Sequence, residues 1–171
     1  MNGCIRIANE IADSIVNVVK WFEEWDSSAV VLKGVRRSLQ LDRYSCGVQS
    51  VKVILDYFSK RLSLEDIEQK LGTDENGTSP TAVRQLFRSL GLSISIEGQA
   101  ELRDIKKMID SGRPVLVSIA NGEHWAVVYG YSKRSIYVAD PSIEKNFCCR
   151  MSKARFLRQW NRWMMAAWSN R

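Results

Sequence analysis

Histidine occurs once in this chain, at His124, and cysteine only four times, at Cys4, Cys46, Cys148 and Cys149. One imidazole and no Cys-x-x-Cys pair leave too few ligands at the usual spacings, so neither a metal nor a cofactor is expected. Two of the cysteines are adjacent and their density is low, which excludes the disulfide framework of a small secreted domain. No apolar run approaches the roughly 20 residues that a membrane-spanning helix needs. Arg6, Glu10 and Asp13 interrupt every candidate signal-peptide core, which makes the cytoplasm the default location. Internal repeats and low-complexity segments are absent too. What is present, 45% hydrophobic and 26% charged residues in a chain of 171, suits one globular domain with a real core.

The most informative stretch runs from Gln40 to Gly47. After Cys46, the residues Val48, Val51, Ile54, Leu55 and Phe58 recur at three- and four-residue spacings, marking one buried stripe of a helix. Lys60 and Arg61 suit its C-terminus. A thiol at the first turn of a helix is placed where unsatisfied N–H groups and the helix dipole favour the thiolate. Gln40, six residues earlier, is near enough for its amide to donate to an oxyanion forming beside the sulfur.

Around this stretch the sequence divides into helices and then strands. The spacing predicts an amphipathic helix over 4–25, with Ile7, Ile11, Ile15 and Val18 on its apolar face, and a short strand from Val30 to Val35. Ser63-Leu64-Glu65-Asp66 is a capping-box pattern opening a helix that stops at Gly72. Ser79-Pro80 opens another that ends before Gly91. Leu92 to Ile96 alternates as a strand, and a helix follows at about 100–111. Pro114 to Ala120 is a buried strand, Asn121-Gly122 a hairpin turn, and His124 to Tyr131 the returning strand. Strands follow over Ile136–Ala139 and Phe147–Met151, Ser152 caps a helix through Trp160, and Met164 to Trp168 closes the sheet.

If the thiol needs an imidazole, His124 must supply it. Two antiparallel registers keep faces matched between 124–131 and 136–140: Asp140 lies opposite His124 in one and opposite Ala126 in the other. Either brings a carboxylate to orient the ring. An imidazole partner can lower a thiol pKa to about 3–4 from about 8.5. Each residue also has a plainer explanation, since a lone Cys is usually a small buried hydrophobe and an Asp before Pro a turn signal. Their coincidence favours chemistry.

The ordered set of motifs resembles one family. Gln40 with Tyr44-Ser45-Cys46-Gly47, then Gly77-Thr78-Ser79-Pro80, Gly112-Arg113-Pro114-Val115, His124 to Gly130, Val138-Ala139-Asp140-Pro141 and Phe156 to Trp163 are similar to the C39-like cysteine peptidases. The match covers about 36–168. It implies an α+β, papain-like cysteine peptidase fold, a helical half followed by an antiparallel β-sheet. It implies Cys46 as nucleophile, His124 as general base and acid, Asp140 as its orienter and Gln40 as oxyanion donor, acting on a peptide or protein substrate. The family's best-known members remove leader peptides after a Gly-Gly pair and are commonly fused to a transporter and an ATPase. This sequence carries neither, which implies a stand-alone domain, and it has Ser45 where many members carry Asp or Glu.

Two regions are expected on these grounds: an N-terminal amphipathic helical arm, 1–30, and the catalytic domain, 31–171. The arm is open to three roles, as docking element, substrate mimic or lid. Residues 145–171 carry seven basic side chains and no acid, whereas 1–30 carry five acids and two bases, so the arm is expected to pack on the C-terminal Trp-containing face. A basic face with tryptophans also suits nucleic acid or an anionic membrane, though a solvated face is the simpler reading. Peptide hydrolysis leads. The alternatives are deamidation or transglutamination of protein glutamine by the same triad, and a non-catalytic binding module using the basic, Trp-rich face.

Overall fold

The computed structural model describes residues 28–39, 42, 44–142 and 150–169. The expected N-terminal arm, apart from its last three residues, lies outside the described residues. So do Gln40, Cys4, Cys148, Cys149 and the start of the strand expected over Phe147–Met151.

The chain order is β1 (Val30–Val31), α1 (Cys46–Tyr57), α2 (Leu64–Leu71), α3 (Pro80–Ser89), β2 (Leu92–Glu97), α4 (Leu102–Asp110), β3 (Val115–Ile119), β4 (His124–Tyr131), β5 (Ser135–Ala139), β6 (Arg150–Ser152), α5 (Lys153–Gln159) and β7 (Met164–Ser169). Helix boundaries follow their capping chemistry. Ser63 Oγ accepts from the Asp66 N–H at 3.0 Å, and Gly72 ends α2 in the left-handed conformation. Ser79 caps α3 through the Thr81 N–H, with Pro80 at the first helical position. Helix α1 departs from expectation by ending at Tyr57, before Lys60 and Arg61. The Lys60 N–H reaches back to the Leu55 carbonyl and the Ser59 N–H to that of Asp56, with Ser59 left-handed at φ 56°. That is a Schellman closure without its usual glycine, so the sequence carried no stop signal there.

The strands form one antiparallel sheet in the order β2-β7-β3-β4-β5-β6. The last strand, β7, therefore lies between β2 and β3, inside the sheet. Its composition explains the place: Met164, Met165, Ala166 and Ala167 are all buried, a continuous apolar run that needs cover on both faces. Such cover exists. Leu116 and Val127 point into a core with Val51, Ile54 and Leu55 of α1 and Ile67, Val83 and Phe87 of α2 and α3. Their neighbours Val115, Val117, Ala126 and Val128 point into a second core with Ile105 and Ile109 of α4 and Phe156 of α5. The sheet is thus a middle layer, and the alternation of β3 and β4 assigns the helices to its two sides.

The C-terminal tryptophans belong to this packing. Trp160 is buried and stacks on Phe156, while the Arg113 guanidinium lies 4.1 Å from the ring centre of Trp168. Among the described residues, no helix is long and apolar enough to cross a membrane.

The strand expected over Val30–Val35 is shorter: the Leu32 N–H donates to the Tyr129 carbonyl at 2.8 Å, and before it Val30 and Val31 pair in a ladder. These two lie against Tyr131 and Gly130 of β4, next to the end of β3, and the Ser28 hydroxyl accepts the Lys133 N–H. Glycine is required there, because a Cβ on residue 130 would sit 2.8 Å from the Val30 carbonyl oxygen. Gly130→Ala should therefore lower the unfolding free energy by about 1–3 kcal/mol in a urea titration. An unchanged midpoint would mean that β1 is not part of the cooperative unit.

Candidate active site

The site begins with the loop that launches α1. Asp42 Oδ1 accepts the N–H groups of Tyr44 and Ser45, both at 2.7 Å, folding the chain into the turn that presents Cys46 as the first helical residue. The Tyr44 N–H, with a smaller contribution from Ser45, holds the Asp42 carboxyl below its usual pKa. Gly47 lets the helix start approach the loop before α3. A Cβ at residue 47 would lie 2.4 Å from Thr78 Cβ, and the Thr78 hydroxyl is in turn 2.8 Å from that of Thr73.

The sheet brings up the other groups. His124 is the first residue of β4, paired with Ile119, and the β4–β5 register sets Val127 against Ala139. One more step places Asp140 opposite Ala126, the second of the two registers open from sequence. Nε2 of His124 and Oδ1 of Asp140 are 2.8 Å apart. The same oxygen accepts the Ser142 N–H at 3.0 Å, and Asp140 is 6% exposed. With Nε2 engaged by the carboxylate, Nδ1 is the ring nitrogen left for the sulfur.

Burial acts against charge on each group, and the neighbours decide the outcome. Burial alone would raise the Cys46 thiol. Hydrogen bonding to His124, the Trp125 N–H and the imidazolium charge outweigh it and leave the thiol below its ordinary pKa. Burial alone would lower His124, but hydrogen bonds donated by the ring to Asp140 and Cys46, and the charge of both, push it up to about 9. The lowered thiol and the raised ring both favour thiolate beside imidazolium.

The sulfur opens on a cleft of about 530 Å³ whose walls include Tyr44, Thr78, Ser118, Trp125 and Trp163. Trp125 and Trp163 meet edge to face, centroids 5.1 Å apart. Asn161 fixes that wall, accepting the Trp163 N–H at 3.0 Å and donating to the Ser118 hydroxyl at 3.2 Å. A buried thiol, an imidazole and a carboxylate in line beside an open cleft suit acyl transfer. Among the described residues, no cluster of side chains is suited to a metal ion.

The sequence profile of the peptidase C39 family matches residues 35–171. The chain belongs to the peptidase C39 family. It is a cysteine peptidase domain of the C39 type. The C39 domain is 26% identical over 125 residues to a lactococcin transport/processing ATP-binding protein, LcnC-like, of Lactococcus lactis; the match takes in 71% of this chain and 17% of that protein. The chain thus spans less than a fifth of the length of that relative. Its fold is that of a C39-like peptidase from Bacillus anthracis (TM-score 0.71, 15% identity, 84% of this chain and 99% of that one). It is also that of a double glycine motif protease from an AMS/PCAT transporter, solved with a leader peptide (TM-score 0.70, 20% identity, 82% and 94%).

Of the four site residues picked from sequence, the structure brings Cys46, His124 and Asp140 together, while Gln40 lies outside the described residues. The sequence reading missed the Trp125 and Ser142 N–H groups and the Gly47–Thr78 contact. Backbone donors leave no mark in a sequence, but Gly directly after Cys46 was a visible sign of close approach.

Because His124 is the only histidine, its ring resonances can be followed in the intact protein without assignment. The titration should centre near pH 9 and fall towards the ordinary value of about 6.5 in Asp140→Asn, since the anion that holds the proton is gone. A wild-type midpoint near 6.5 would contradict the electrostatics described above.

Proposed function

We propose that this domain hydrolyses a peptide bond through an acyl-thioester on Cys46. The thiolate adds to the scissile carbonyl, and the oxyanion takes a hydrogen bond from the Gln40 side-chain amide. The His124 imidazolium passes its proton to the leaving amine as the C–N bond breaks, leaving the acyl group on sulfur. Neutral His124 then takes a proton from water as its oxygen attacks the thioester, and the acid product and thiolate are released. Asp140 keeps the ring in the orientation this needs and stays ionised throughout.

The observation that carries this reading is the linear order of thiol, imidazole and buried carboxylate beside a cleft lined by Trp125 and Trp163. A peptide fits the reading because a solved neighbour holds a leader peptide, and that neighbour is a double glycine motif protease. A leader peptide with a Gly-Gly pair is therefore the first substrate to offer. The cytoplasm is the proposed compartment, where thiols stay reduced.

Wild type and Cys46→Ala, incubated with such peptides and with lysate proteins, should differ in new termini read by mass spectrometry. Cys46→Ala should show none while unfolding at the wild-type temperature, and Gln40→Ala should slow turnover by roughly 10²–10³. A gain of about 1 Da on glutamine without chain cleavage would replace peptidase by deamidase, the outcome of the same thioester formed on a side-chain amide.

A further inference from the structure

Two adjacent residues a few positions before Cys46 in sequence, Arg37 and Ser38, make contacts of opposite direction. Arg37 donates from Nη2 to the carbonyl oxygen of Ser142, and the Ser38 hydroxyl donates to Oε1 of Gln49. Gln49 lies on α1 three residues after Cys46 and is 4% exposed. Ser142 closes the turn after β5, and its N–H is on the oxygen of Asp140 that meets His124. Arg37 and Ser38 therefore bridge the two halves of the site, one end on the thiol helix and the other on the carboxylate turn.

The turn lies at the end of the strand ladder. Asp140 is one residue past the last β5 pair, at Ala139. Pro141 follows it and has no N–H to offer. Ser142 supplies the first N–H after Asp140, and whether it points at the carboxylate depends on the orientation of its peptide plane and its neighbours. Arg37 grips the far side of that residue, at the carbonyl, with a guanidinium whose planar fork and permanent charge suit a backbone oxygen.

We infer that Arg37 is a positioning residue for the reaction, acting through Ser142 and Asp140 on the orientation of His124. This rests on Asp140 orienting His124 as proposed above. Arg37 reaches the site through the Ser142 carbonyl, so its loss should reduce kcat and leave KM nearly unchanged.

A double-mutant cycle tests the route. Arg37→Met should lower kcat by about 10-fold or more with KM within about two-fold, and Arg37→Lys, which keeps a charged donor, should recover part of the loss. In an Asp140→Asn background, Arg37→Met should cost little, because the group through which it acts is already impaired. If Arg37→Met costs as much in both backgrounds, or costs nothing in either, the inference is overturned while the role of Asp140 stands. If Asp140→Asn alone leaves kcat unchanged, it is the reading of Asp140 that fails. Should Arg37→Met not fold, the same cycle with Arg37→Lys decides, with a reduced loss expected in the wild-type background and none in Asp140→Asn.

Discussion

The structure depends on one positively charged ring held between two anions. Burial opposes the charge on Cys46, His124 and Asp140 alike. The ring, however, receives attraction from both neighbours, and the result is a histidine raised to about 9 with the thiol lowered beside it. Removing either neighbour takes away part of that attraction, so the ring falls back towards its ordinary pKa and the remaining pair is held less firmly, a local loss that leaves the two cores in place. The chemistry and the local stability of the site thus rest on the same three side chains.

Everything else in the fold holds these groups in line. The thiol comes from a helix whose start is shaped by Asp42 and allowed close by Gly47. The imidazole comes from the first residue of a central strand, and the carboxylate from the turn after the next strand. Two cores, one on each face of the sheet, set how far apart those elements sit. The register of β4 on β5 is the sharpest constraint, because a one-residue slip would turn Asp140 away from the ring.

Much of this was legible in the chain. The cap signals at Ser63, Ser79 and Ser152 were each met, and the alternation of Leu92 to Ile96 and the bounds of β4 were read directly. Legibility failed where structure depends on partners distant in sequence. Ser59 closes α1 in a conformation usually given to glycine, so the helix stop was invisible. The run Met164 to Trp168 read as a strand, but its place between β2 and β3 is set by the two apolar layers it completes. The two possible registers of Asp140 could not be separated without the bulge at Val128/Gly130, which consumes one residue of β4. The contacts from Arg37 to Ser142 and from Ser38 to Gln49 join residues 105 and 11 positions apart and carry no local pattern at all.

The central claim is that Cys46 stands as a thiolate because His124 carries the proton. The most direct measurement is the pH dependence of the rate at which iodoacetamide alkylates Cys46, followed by peptide mass mapping so that Cys4, Cys148 and Cys149 are read separately. The account predicts rapid labelling of Cys46 well below pH 7, lost in His124→Ala, with the other three lagging. Labelling of Cys46 that rises only near the free-thiol value of about 8.5, and is indifferent to His124→Ala, would contradict it.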